Sequence, residues 1–342
     1  MSVNNIRNDK KADDYEASVI IFPFCCLLSK RDMLNSTASP FSYFIFGAYM
    51  DVGRMKYLYF IITAVLYITI IVANVSLIVV ISVNRSLHEP MYMFLCSLFV
   101  NELYGSSGLF PFLLIQILSD AHTISAPLCF LQIFCIYTYV KVEFCNLAVM
   151  SYDRYVAICY PLQYNTIMTF KRVKVLTAVA WLPPLLLIVI LTSLSFSLQL
   201  CGNIINNIYC DNYSVVKLAC ADTTVNNIYG LMITAIIVFG PVLLILYTYM
   251  RILKVCFSGS KQTRQKALST CTPHLASLLN FSFGVCFEVS QSRFDMSRVR
   301  GILQILLSLY FLTCQPLFNP ALYGLNMSKI RSRCKSLFSL KC

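Results

Sequence analysis

Seven apolar runs of 21 residues or more recur along this chain: Tyr57–Ser82, Met91–Leu118, Pro127–Met150, Val175–Leu198, Ile228–Met250, Leu268–Glu288 and Gly301–Leu325. About 20 apolar residues in a helix cross a hydrocarbon core of about 30 Å. In lipid every backbone polar group must be satisfied internally, so such continuous runs read as helices rather than barrel strands. The fold expected is an all-α membrane protein, a seven-transmembrane helix bundle. Composition agrees, with 58% hydrophobic and 12% charged residues against about 45–50% and about 25% in soluble chains. A single large soluble core is thereby excluded.

The net charge of +12 does not point to nucleic acid, because the basic residues lie in short segments between runs. Segments 83–90, 151–174, 251–267 and 326–342 hold 15 Lys/Arg and 2 acidic residues, whereas 1–56, 119–126, 199–227 and 289–300 hold 11 and 10. The positive-inside rule places the amino terminus outside and the carboxyl terminus inside. The organisation expected is an extracellular segment 1–56, a bundle 57–325 and a cytoplasmic tail 326–342. Within the first segment, 1–32 reads as a disordered or atypical extension, and Met33 is an alternative start. No internal repeat is apparent, which weighs against many transporters, and no convergent nucleophile and base suggest an enzyme.

Ionisable groups inside a span are functional hypotheses by default. Glu102, Lys141, Glu143 and Glu288 are such groups. Glu102 and Glu143 fall at a similar middle depth, Glu143 about 16 Å inward of Arg154 by helix rise. Two carboxylates there repel unless one is protonated or a cation lies between them. Asn74 and Asn319 lie at compatible depth. Either a sodium ion or shared proton, or a set of satisfied helix–helix hydrogen bonds, fits this pattern. Lys141, two residues from Glu143, points about 200° away from it. Facing a ligand cavity, it would meet an acidic or carbonyl group. By depth and polarity Tyr137, Lys141, Asn227 and Glu288 are the candidate ligand contacts.

Sixteen cysteines mostly sit in or beside apolar runs, where a thiol behaves as a small hydrophobe. Cys129, Cys201, Cys210 and Cys220 lie on the outer side, and four cysteines allow three connectivities. Asn35-Ser36-Thr37 and Asn212-Tyr213-Ser214 are outer glycosylation sequons, Asn35 being the more open. At the inner end of the third run stands Asp153-Arg154, an ion pair where a helix meets the cytoplasm, which suggests signalling.

The chain resembles the odorant (olfactory) receptors, fish-type, within the rhodopsin-like G-protein-coupled receptors. The residues that carry the resemblance are Pro90-Met91-Tyr92-Met93-Phe94-Leu95, Met150 to Cys159, Lys266-Ala267-Leu268-Ser269-Thr270-Cys271 with His274, and Pro316-Leu317-Phe318-Asn319-Pro320-Ala321-Leu322-Tyr323. It spans about residues 33–340. It implies Cys129–Cys210 and Cys201–Cys220 disulfides, and Arg154 held by Asp153 at rest. It implies coupling through Asp153, Arg154, Tyr155 and Tyr249, rearrangement at Asn319, Pro320 and Tyr323, and a sodium-type core of Asn74, Glu102, Glu143 and Asn319. Glu102 departs from the usual Asp by one methylene. Lys329 to Lys335 would form a short amphipathic helix, with Cys334 or Cys342 palmitoylated. The implied partners are a small odorant, a heterotrimeric G protein and membrane lipid. The implied place is the plasma membrane of olfactory neuron cilia or microvilli, and the implied output is a stimulatory G protein raising cyclic AMP. A receptor for an endogenous mediator and a transporter are the rival readings.

Overall fold

The computed structural model describes residues 42–49, 53–258, 261–293, 301–327 and 329–333. Helix α1 (Met55–Val83) leads through a 3-10 turn into α2 (Pro90–Leu118). Pro90 opens α2 at its first turn, where a missing N–H costs nothing. Then follow α3 (Ala126–Cys159), the short α4 (Tyr164–Ile167), α5 (Phe170–Phe196) and the short α6 (Asn212–Val216). Helix α7 (Thr224–Thr234) passes through a π turn, Ala235–Phe239, into α8 (Gly240–Ser258). Pro241 explains that turn. Its ring crowds the carbonyl four residues back, at Ile237, and it offers no N–H, so a wider turn relieves both. Helices α9 (Lys261–Arg293) and α10 (Gly301–Asn326) complete the order.

Helix α3 is central, packing against α2, α5, α8 and α9, while α10 packs against α1, α2 and α9. Among the described residues α1, α2, α3, α5 and the α7–α8 rod are each long and apolar enough to cross a membrane. Helices α9 and α10 close the bundle by their packing.

Several edges differ from the hydropathy reading, the fifth span's helix running on to Ser258 beyond Met250 and the fourth beginning at Phe170 rather than Val175. The third helix continues beyond Met150 to Cys159, and the sixth begins at Lys261 rather than Leu268. Hydropathy registers only the lipid-facing length, whereas hydrogen bonding continues into water.

Burial is inverted relative to a soluble protein. On α1, Ile61, Val65, Ile68 and Val72 form an outward stripe, each 57–58% exposed. Asn74, Glu102, Glu143 and Asn319 are wholly buried. An apolar exterior around a polar interior suits lipid. Gly105 lets α2 approach α3 closely, since a Cβ there would lie 2.5 Å from the Tyr139 ring.

A small sheet caps the outer end. Strand β1 (Tyr43–Phe46) lies between β2 (Thr123–Ser125), antiparallel, and β3 (Ile204–Ile205), parallel. Phe44 and Phe46 point inward beneath it and are buried.

Candidate functional site: a cavity, a polar core and an ion-pair latch along one helix

The polar core lies midway along α3. The Asn319 amide nitrogen on α10 donates to Glu102 Oε1 at 2.5 Å and to Glu143 Oε1 at 3.0 Å. Tyr139 donates its hydroxyl to Glu102 Oε2 at 3.0 Å, and Asn101 donates to Glu143 Oε2 at 2.9 Å. Gln315 adds a longer bond to Glu143, and Ser277 donates to Asn319 Oδ1 at 2.7 Å. Glu102, Glu143 and Asn319 therefore meet as the sequence suggested. Asn101, Tyr139, Ser277 and Gln315 were not anticipated. The signal for two of them was present as i, i+4 polar pairs, Tyr139 with Glu143 and Gln315 with Asn319.

Asn74 does not join this group. Its amide donates to Ile70 O and Pro316 O, both at 2.9 Å. Pro320 has no N–H for the Pro316 carbonyl, so that acceptor is left open, and Asn74 fills it, tying α1 to α10. The carboxylate and hydroxyl oxygens around Glu102 and Glu143 are hard donors of the kind a small cation takes. No group of three or more His, Cys, Asp or Glu suited to a metal occurs among the described residues.

At the inner end of α3, Arg154 donates to Asp153 Oδ2 from Nη2 at 2.5 Å and from Nε at 3.1 Å. Asp153 is wholly buried, and Tyr164 of α4 donates to its other oxygen at 2.7 Å. Burial and then the Asp153 charge push the Tyr164 hydroxyl pKa up, so it stays a donor. Tyr155 lies beside Tyr160, 3.3 Å between hydroxyls. Tyr249 departs from expectation. Rather than facing the cytoplasm it is buried, its hydroxyl 2.7 Å from His274 Nδ1, while His274 Nε2 lies 2.8 Å from Leu147 O. Its phenol fills the gap between α3, α8 and α9. Tyr323 is also buried, as is Ile330 beyond α10. Lys329 pairs with Glu89 at 2.6 Å on the surface.

Toward the outer end a cavity of about 80 Å³ opens among α3, α7, α9 and the 199–227 loop. Tyr137, Lys141 and Glu288 line it, together with Thr234, Tyr209 and Asp211. Asn227 does not. It faces back along α7, donating to Thr223 Oγ1 at 3.1 Å, and the buried neighbour Asn226 turns inward. A shift of one position turns a helical side chain by about 100°, more than a depth argument resolves. Tyr209 donates its hydroxyl to Glu288. Burial and then the Glu288 charge raise the Tyr209 pKa well above its ordinary value.

The Cys129–Cys210 disulfide ties the loop to the start of α3, and Cys201–Cys220 closes the loop on itself. Asn212 is enclosed, accepting from Ser195 at 2.7 Å. Asn35, Cys334 and Cys342 lie outside the described residues, as do residues 1–32.

The helix bundle has the rhodopsin-like seven-helix fold. It superposes on squid rhodopsin with a TM-score of 0.69 at 17% identity, covering 85% of this chain and 88% of that one. The olfactory receptor family matches residues 63–341. Human olfactory receptor 10A3 is 34% identical over 290 residues, 84% of this chain and 91% of that protein. Mouse olfactory receptor 6E1 is 34% identical over 308 residues, 87% of this chain and 95% of that protein. The chain belongs to the olfactory receptor family. It is a multi-pass membrane signalling receptor and not an enzyme.

Proposed function

We propose that a small extracellular odorant enters the α3–α7–α9 cavity and shifts a pre-existing equilibrium of the bundle toward a state that engages a heterotrimeric G protein. One observation carries this reading. A single helix, α3, bears Lys141 in the cavity wall, Glu143 in the polar core and Arg154 in the latch. A ligand that favours one disposition of α3 acts on all three, and it shifts the equilibrium only by its differential affinity for the two states.

In the resting state Asp153 and Tyr164 occupy Arg154 and its counter-charge. Release would free the guanidinium for the G protein, with Tyr155 beside it. Tyr249 would contribute from the interior by giving up His274 rather than as a surface contact. Asn319, Pro320 and Tyr323 would let α10 rearrange, because Pro320 already interrupts its backbone bonding. Glu102, Glu143 and Asn319 would hold a sodium ion in the resting bundle, offsetting the two acids, with Asn74 bracing the adjoining helix.

The G protein would be the olfactory stimulatory type, raising cyclic AMP at the ciliary or microvillar membrane of olfactory neurons. Co-expression with stimulatory, inhibitory or phospholipase-coupled α subunits tests this. An odorant-evoked cyclic AMP rise seen only with the stimulatory subunit is expected. A response restricted to another subunit would refute that assignment.

A further inference from the structure

Lys141 is a cation buried at 4% exposure in the wall of the cavity. Its Nζ donates to the neutral hydroxyl of Thr234 at 3.1 Å. The ion pairs among the described residues are Lys56–Asp120, Arg154–Asp153 and Lys329–Glu89, and none involves Lys141. Glu143 lies on another face of α3, engaged by Asn101 and Asn319. An ammonium has three donors, and buried charges are normally paired. The missing partner is an anion, and the cavity is where it can arrive.

The other lining groups narrow its chemistry. Asp211 accepts the Ser214 N–H and the Asn207 amide, and Glu288 accepts from Tyr209. These acids disfavour a second negative charge on the ligand. Ile136, Val140, Val285 and Val289 supply apolar wall. The volume of about 80 Å³ is far below the about 300–1,000 Å³ of pockets for drug-sized ligands.

We propose that this receptor's ligand is a short-chain aliphatic monocarboxylate. Its carboxylate meets Lys141 Nζ beside the Thr234 hydroxyl, and its alkyl chain packs on Ile136, Val140 and Val285. A neutral alcohol or carbonyl of the same length fills a donor but leaves the charge unmatched. An alkylamine brings like charge to Lys141 and meets Glu288 and Asp211 already engaged by Tyr209, Ser214 and Asn207, and a dicarboxylate adds a second negative charge beside those acids.

The proposal rests on the odorant-receptor reading of the cavity, and binding separates the two. The probe is butanoate, with propanoate and hexanoate as length variants and butan-1-ol, butylamine and succinate as controls. Binding to the full-length receptor in nanodiscs is measured by saturation-transfer NMR, and G-protein activation is measured in parallel. The expected result is saturable binding of at least one monocarboxylate, at least tenfold tighter than its matched alcohol or amine. In Lys141→Met that affinity falls at least tenfold, and in Thr234→Val less, with thermal unfolding confirming that each variant is folded. Absence of monocarboxylate binding, equal binding of the butan-1-ol, or an unchanged Lys141→Met affinity would overturn it. Because the selectivity is measured on the unsubstituted receptor, it decides the matter even if Lys141→Met fails to fold. Monocarboxylate binding with no G-protein response upholds the ligand assignment and sinks the coupling. A response to other odorants without monocarboxylate binding does the reverse.

Discussion

Asn319 places one amide nitrogen between two carboxylates, 2.5 Å from Glu102 and 3.0 Å from Glu143, and so joins α2, α3 and α10 at a single point. Removing it strips a donor from two buried acids at once. A buried group left unsatisfied costs about 1–3 kcal/mol, more when charged. Asn319→Ala should therefore lower the apparent melting temperature of the purified receptor. A melting temperature equal to the parent would show that the bridge contributes little.

Two acids in one buried network favour a cation or proton between them. The unsubstituted receptor should melt higher in sodium chloride than in potassium chloride at equal ionic strength. Glu143→Gln removes one negative charge while keeping the side chain's size, and it should abolish that difference. Thermal scans across both salts check this. A sodium effect that survives in Glu143→Gln would move the ion elsewhere.

Tyr164 holds the Asp153 oxygen that Arg154 does not use. Hydrogen bonds to charged groups contribute about 1.5–3 kcal/mol, and a bias of about 1.4 kcal/mol changes an equilibrium tenfold. Tyr164→Phe should raise ligand-independent G-protein activation several-fold. Basal GTP exchange in membranes at matched receptor density measures it. Unchanged basal exchange would remove Tyr164 from the latch.

The two disulfides close loops of different length, with sequence separations of 81 and 19 residues. Chain-entropy reasoning assigns about 4.5 kcal/mol to the longer and about 3 kcal/mol to the shorter. Cys129→Ser should reduce surface expression more than Cys201→Ser. Flow cytometry of an amino-terminally tagged receptor reads the order, and the opposite order would contradict the entropic account.

Much of this molecule is legible in its residues, for definite physical reasons. Lipid imposes long apolar helices, so the runs announce themselves. Glu102 and Glu143 stand out because charge is rare in such runs. Strand β1 is hidden, because four residues such as Tyr43–Phe46 are too short to show a period of two and pair only with distant segments. Asn101 is hidden because an amide in a helix has the same local appearance whether it bonds a neighbour or a remote acid. The direction of Asn227 and the burial of Tyr249 depend on helix rotation, which packing decides. Lys141 is visible as a charge, but that it forms none of the ion pairs among the described residues appears only in three dimensions.

The central claim is that α3 carries a ligand signal from the cavity to Arg154. Ligand-evoked G-protein activation by Arg154→Ala, at matched surface density and with odorant binding measured in the same preparation, tests it most directly. The expected result is retained binding with evoked activation reduced to background. Full activation in that variant would contradict the account.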